Sequence, residues 1–166
     1  MRRPLLLVLS ACAALCACAM QRPKPARFGA PAPVITSRTS AANAVLFSAM
    51  ALVGTPYRSG GNTPAGGFDC SGLVDYVFAD AAGIALPRTA AQIARVEAQP
   101  IDSSDLESGD IVLFHGRGRE VTHVGIYVGE GRFVHAPNKG GTVRLDRLDD
   151  TYWREHYAGA RRLLRG

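Results

Sequence analysis

The sequence is poor in cysteine beyond its first 18 residues, where three of its four cysteines lie, and only Cys70 follows them. A disulfide framework in the body of the chain is therefore excluded, because one thiol has no internal partner. A lone thiol kept by an exported protein favours a functional role. Cys70 stands in the polar stretch "GGFDCSG", which argues against a buried core cysteine and favours a nucleophile.

The chain also lacks the patterns of two other classes of site. Its 19 basic residues form no run interleaved with aromatic residues, so no nucleic-acid surface is predicted. No CxxC or HxxxH spacing accompanies Cys70, so a zinc site built from it and two histidines ranks below a nucleophile, and neither a metal nor a cofactor is expected. The length of 166 residues suits one domain, expected to be monomeric, and the net charge of +5 favours an anionic neighbour.

The chain opens with the segment "MRRPLLLVLSACAALCACAM", two arginines followed by an apolar run of small residues. This is the pattern of a secretory signal, and the run is too short to span a bilayer comfortably. It resembles a bacterial lipoprotein signal, which is cut just before a cysteine that carries lipid. The box ending at Cys18 leaves a longer leader than the box ending at Cys12. We therefore expect lipidation at Cys18, with Cys12 and an ordinary cleaved signal as the alternatives.

These features divide the chain into three parts. Residues 1–17 are predicted to be the signal peptide, and residues 18–38, rich in proline and alanine, a tether. Residues 39–166 are predicted to be the folded domain. The expected location is the cell envelope, with the lipid in the outer membrane and the domain facing the periplasm.

Helical spacing dominates the first half of the domain, and short β-branched segments dominate the second. A first helix is predicted from Thr39 or Ser40, with an apolar face of Leu46, Met50 and Val53. Residues 54–68 are predicted to be loop. The remaining elements are a helix from Asp69 to Gly83, a short helix from Thr89, and strands at 110–114, 123–129, 132–136, 142–146 and near 158–164. Helices followed by strands predict an α+β fold, with N-terminal helices packed on a C-terminal antiparallel sheet.

The predicted position of Cys70 is the first turn of a helix that follows a glycine-rich loop. Free backbone N–H groups and the positive end of the helix favour a thiolate there, and such positions lower the pKa of a cysteine. The neighbouring Asp69 opposes this effect with its negative charge. A basic partner is therefore required.

Two histidines on the predicted strands can supply that partner. A three-residue loop, Gly129 to Gly131, would place Gly125 opposite His135, so that His123 and His135 share one face as diagonal neighbours. A two-residue loop would shift the register by one and separate them. On one face, His123 can act as general base, and His135 can hold its ring in place.

Five motifs in this order resemble those of the NlpC-type cell-wall cysteine peptidases: "GTPYRSGG", "FDCSGLVDYVF", "LPRTAAQ", "LESGDIVLF" and "THVGIYVGEGRFVHA". The resemblance covers about residues 40–136. It implies a papain-like α+β fold, with Cys70 as nucleophile, His123 as base and His135 as the third catalytic residue.

The same resemblance implies a substrate and further site residues. It implies hydrolysis of peptidoglycan stem peptides through a thioester, at the bond between γ-D-glutamate and a diamino acid. It also places Tyr57 near the oxyanion, Asp69 and Ser71 near the free amine of the peptide, and Arg88 in a substrate-side or structural role. The alternatives are an acyltransferase on the same fold and a non-catalytic module that binds the cell wall.

Overall fold

Helices occupy most of the first half of the domain and strands most of the second, as the sequence predicts. The computed structural model describes residues 38–137 and 141–164. The elements are α1 (Arg38–Ala51), β1 (Asn62–Thr63), β2 (Gly67–Phe68), α2 (Cys70–Ala82), α3 (Ala90–Ile93), β3 (Gln99–Ile101), a 3-10 turn (Ser103–Asp105), β4 (Ile111–His115), β5 (Val121–Gly129), β6 (Arg132–His135), β7 (Arg144–Arg147), α4 (Thr151–His156) and β8 (Tyr157–Arg162). The predicted signal, tether and lipidated cysteines lie outside the described residues.

Six strands form one antiparallel sheet in the order β3-β8-β4-β5-β6-β7. Its central strand β5 contacts α1, α2 and α3, and the buried apolar side chains of these elements form the main core. A second buried cluster includes Phe114 and Phe133, and Trp153 of α4 packs against this second cluster. The predicted α+β arrangement is confirmed, and it places the start of α2 against the centre of the sheet.

The boundaries of α2 follow from its capping residues. The carboxylate of Asp69 accepts the backbone N–H of Gly72 at 2.6 Å, which satisfies one free donor of the first turn. Gly83 ends the helix with a φ of 67°, a left-handed conformation that glycine adopts readily. Leu73 and Val77 are fully buried on the face toward the core. The predicted helix from Asp69 to Gly83 is therefore confirmed.

The predicted apolar face of α1 is confirmed for Leu46, which packs against the main core, and is wrong for Met50 and Val53. Met50 and Val53 are 40% and 41% exposed, and the helix ends at Ala51, before Val53. The buried face instead contains Val45 and Ala49, both fully covered. Both sets of residues have helical spacing, so the spacing alone does not decide which set is buried. Helix α1 packs against α2, and the small side chain of Ala49 permits the two helices to approach closely.

Strands β1, β2 and β3 and helix α4 were not predicted. The segment 54–68, expected to be loop, contains the β1–β2 pair. Strand β3 has three residues, two of them exposed, and is defined by its pairing with β8. Helix α4 has six residues, and a short turn connects it to the end of β7. None of the helices within 38–137 and 141–164 is long and apolar enough to cross a membrane.

Candidate active site

Cys70 is the first residue of α2, and its thiol is only partly buried. The glycine-rich loop lies tightly against this turn, since Asp69 donates its backbone N–H to the carbonyl of Gly61 at 3.0 Å. A Cβ atom added to Gly72 would clash with that same carbonyl. The close approach of two backbones therefore requires glycine at this position of α2.

The predicted substrate-binding residues Asp69, Ser71 and Arg88 lie together beside Cys70. Ser71 is buried and donates its hydroxyl to the carbonyl of Arg88 at 2.7 Å. The same hydroxyl oxygen lies 3.1 Å from Asp69 Oδ1. The Nη2 atom of Arg88 lies 3.5 Å from Asp69 Oδ2 and 3.3 Å from the carbonyl of Gly60. These contacts give all three a structural role, holding the loop to the first turn of α2. Their contact with a peptide amine stays a prediction.

Tyr57 reaches the same region through its backbone. It forms a bridge with Phe68, two residues before Cys70, and its N–H donates to the carbonyl of Gly141 at 2.8 Å. Its side chain is partly buried against the main core. Its predicted place near the oxyanion stays a prediction.

The surroundings of Cys70 do not favour the predicted thiolate. Burial raises the pKa of the Cys70 thiol above its ordinary value, and the charge of Asp69 raises it further. Backbone N–H groups of Val124, Ser71 and Cys70 itself act in the opposite direction but are outweighed. The expectation of a lowered pKa at the helix start is therefore wrong. The resting group is a neutral thiol, which needs a base to remove its proton.

The β5–β6 hairpin reaches the predicted register by an unpredicted route. Gly129 pairs with Arg132, so the turn has two residues and not three. The ladder then shifts by one residue between Tyr127 and Gly129, and Ile126 faces Val134. This bulge restores the register beyond the turn. The two histidines can therefore share one face although the turn is short.

The imidazoles of His123 and His135 are in direct contact. His123 Nε2 and His135 Nδ1 lie 2.8 Å apart, and the ring planes are nearly perpendicular, at 88°. The prediction that both rings lie on one face is confirmed. Val124, the residue after His123, presents its backbone N–H to the sulfur of Cys70. The thiol and the two rings therefore occupy one region of the molecule, where α2 meets β5.

Both rings are neutral at neutral pH. Burial lowers the pKa of His123 to about 3, with a further lowering by His135 and a partial compensation by Asp146. Burial also lowers the pKa of His135 to about 4, and Asp146 again opposes the shift. A neutral imidazole beside a neutral thiol is the combination that general-base catalysis requires before the attack.

Two residues of the site were missed in the sequence. Asp146 lies 3.0 Å from His135 Nε2 through its Oδ2 atom, and Trp153 donates its indole N–H to the same oxygen at 2.9 Å. The ring of Trp153 stacks on His123, at an angle of 26°. The pairing of His135 with Arg144 would have indicated Asp146, since residues two apart on a strand share a face.

A cavity of about 670 Å³ opens beside these residues. It is bordered by His123, Arg144, Asp146, Tyr152 and Trp153, among others. Both charged and aromatic side chains border it, which suits a polar peptide. Among residues 38–137 and 141–164, no group of three or more His, Cys, Asp or Glu side chains is placed to hold a metal ion.

Comparison with known proteins identifies relatives of this chain. The profile of the NlpC/P60 family matches residues 54–162. Murein DD-endopeptidase MepH of Escherichia coli is 45% identical over 117 residues, which are 69% of this chain and 43% of that protein. Gamma-DL-glutamyl hydrolase of Bacillus subtilis is 41% identical over 119 residues, covering 71% of this chain and 28% of that protein.

The fold is similar to solved structures as well. A Staphylococcus aureus protein described as similar to lipoprotein, NLP/P60 family, superposes with a TM-score of 0.66 and is 36% identical, over 76% of this chain and 42% of that one. The papain-like fold predicted from the motifs is thereby shown. The chain spans less than half the length of these two curated relatives.

Proposed function

This chain belongs to the NlpC/P60 family, and from that premise we propose that it is a cysteine peptidase that cleaves peptidoglycan stem peptides. One observation carries the proposal: His123 Nε2 and His135 Nδ1 lie 2.8 Å apart, and Val124, the residue after His123, presents its backbone N–H to the sulfur of Cys70. A nucleophile, a base and a group that orients the base are the three parts of a covalent acyl-transfer site. The names of the relatives support peptidoglycan as the substrate.

The proposed reaction has two halves. His123 uses Nδ1, the nitrogen not occupied by His135, to take the proton of Cys70 as the sulfur attacks the scissile carbonyl. Backbone N–H groups at the start of α2 stabilise the oxyanion, with Tyr57 close by. The imidazolium gives its proton to the leaving amine, which leaves a thioester on Cys70. Water, deprotonated by His123, then hydrolyses the thioester and restores the thiol.

The bond we propose is the one between γ-D-glutamate and a diamino acid. Gamma-DL-glutamyl hydrolase and the Bacillus subtilis DL-endopeptidase CwlT, which is 44% identical over 114 residues, support this choice by name. Murein DD-endopeptidase MepH supports a second candidate, the DD bond that crosslinks two stem peptides.

Digestion of purified muropeptides, read by mass spectrometry, tests both candidates. An uncrosslinked tetrapeptide muropeptide contains the DL bond but no crosslink, whereas a crosslinked dimer contains both. We expect the wild type to split the uncrosslinked substrate and Cys70→Ser to leave it intact. Cleavage of the dimer into intact monomers would instead assign the DD bond. Identical products from wild type and variant would reject the peptidase.

We further propose that the protein is a lipoprotein of the cell envelope, anchored through Cys18, or through Cys12, with the domain facing the periplasm. The signal-like residues 1–17 and the proline-rich segment after them support this location. The Staphylococcus aureus structure described as similar to lipoprotein supports it by name. Incorporation of labelled palmitate that is lost in Cys18→Ala, and kept in Cys12→Ala, is the expected result.

A further inference from the structure

Asp146 lies behind the histidine pair and receives several hydrogen bonds. His135 and Arg144 face each other across β6 and β7, so Asp146 lies on the same face, one diagonal away. Its Oδ2 atom lies 3.0 Å from His135 Nε2 and accepts the indole N–H of Trp153 at 2.9 Å. Arg144 donates Nε to Oδ1 and Nη2 to Oδ2, both at 3.0 Å. Asp146 thus has a defined orientation.

The carboxyl group of Asp146 is ionised. Burial by itself would raise the pKa of Asp146, but the hydrogen bonds from Arg144 and Trp153 and the neighbouring His135 outweigh it and lower the pKa below its ordinary value. An ionised carboxylate can only accept hydrogen bonds. It therefore dictates which atom of each partner carries a proton.

The ionised carboxylate of Asp146 thereby determines which nitrogen carries the proton in His135, and through it in His123. A neutral imidazole carries one proton, and the proton of His135 must be on Nε2, which faces the carboxylate. Its Nδ1 is then an acceptor, so His123 must donate from Nε2. His123 is neutral as well, so its Nδ1 atom has a free lone pair. The opposite arrangement would set a lone pair of His135 against the carboxylate.

We propose that Asp146 is a positioning residue of this site: through His135, it fixes the tautomer of His123 whose Nδ1 can accept the proton of Cys70. When His123 takes that proton, the negative charge of Asp146 also stabilises the imidazolium, in line with its raising effect on the pKa of His123. The inference deepens the proposed peptidase function and rests on it for the role of His123.

A matched pair of variants isolates this role. Arg147 and Asp149 repeat the arrangement of Arg144 and Asp146, with both hydrogen bonds at 2.8 Å, but Asp149 is exposed. We expect Asp146→Asn to lower kcat on the muropeptide about 10-fold or more, with little change in KM, since the residue acts through the base. Asp149→Asn should retain the wild-type kcat. Equal kcat values in the two folded variants would overturn the proposal.

Two measurements test the inference without peptidoglycan. Nitrogen-15 NMR of the wild type should show His135 and His123 both protonated on Nε2, and a His135 protonated on Nδ1 would overturn the proposal whether or not the variants fold. The alkylation rate of Cys70 by iodoacetamide at pH 7 should fall in Asp146→Asn and stay unchanged in Asp149→Asn. If the expected tautomers and alkylation rates occur but no muropeptide is cleaved, the inference stands and the proposed substrate is rejected.

Discussion

At the scale of single residues, the state of Cys70 is decided by burial. The start of α2 supplies backbone N–H groups that favour a thiolate, but the loss of solvent around the sulfur and the charge of Asp69 outweigh them. The sequence predicts the helix start and the nearby carboxylate correctly. It cannot predict the net result, because that depends on how closely β5 covers the sulfur, and this is a property of the packed structure.

The opposing charge of Asp69 leads to a prediction for Asp69→Asn. The amide oxygen can still accept the N–H of Gly72, so the cap is kept, while the negative charge next to the thiol is removed. The pKa of Cys70 should therefore fall, and the midpoint of its alkylation by iodoacetamide should move to lower pH. Asp80→Asn, which removes the same charge at the exposed far end of α2, is the control. Equal shifts in the two variants would argue against a local effect.

At the scale of elements, the sequence predicts which strands carry the histidines but not how their hairpin turns. The alternation of β5 and β6 indicates two rings on one face, and this face is observed. The prediction of a three-residue loop is wrong, and the bulge between Tyr127 and Gly129 compensates. Such a bulge has no distinct sequence signal here, because glycines on both sides of Glu130 permit either turn.

Gly125 in the middle of β5 permits this hairpin to close. A Cβ atom at this position would lie 2.6 Å from Phe133 Cδ2 and 3.3 Å from the Cβ of His135. Phe133 and His135 are fully buried and have no space to move into. We expect Gly125→Ala to lower the free energy of unfolding by about 1–3 kcal/mol, and to lower kcat because His135 is displaced.

Gly118→Ala is the control for that substitution. Its added Cβ would have no atom within 4 Å, and the residue is exposed in the connection between β4 and β5. Its free energy of unfolding should change by less than about 0.5 kcal/mol. Urea unfolding of the two variants gives the comparison. A wild-type unfolding curve for Gly125→Ala would show that the strands separate easily, contrary to the packing described above.

At the scale of the whole molecule, the order of the strands in the sheet could not be predicted from the sequence pattern. Each of the five predicted strands is present, but the sheet gains β3 at its edge through pairing with β8, more than 50 residues later in the chain. Trp153 was missed for a similar reason, because it joins the site only where α4 packs back against the histidines. Asp146 is closer in sequence, and the pairing of β6 with β7 places it.

The buried histidines make the stability of the whole domain depend on pH. In the unfolded chain His123 and His135 take up protons near the ordinary value of 6.5, whereas in the fold their pKa values are about 3 and about 4. As the pH falls below 6.5, the unfolded state therefore binds more protons than the folded state, and acid favours unfolding. This effect continues until the pH reaches the pKa values of the two histidines in the folded protein. Each histidine should contribute a slope that approaches about 1.4 kcal/mol per pH unit between pH 6 and pH 5, and the slope from His135 should decline as the pH approaches its folded value of about 4.

Urea unfolding at several pH values between 7 and 4 measures that slope. His135→Gln removes one of the two groups, so its free energy of unfolding should fall less steeply with acid than that of the wild type, by about 1.4 kcal/mol per pH unit. His156→Gln, which removes a histidine of α4 outside this pair, is the control. If all three proteins show the same slope, the ring of His135 is not held neutral by burial. The argument that leaves Nδ1 of His123 free to accept a proton would then be wrong as well.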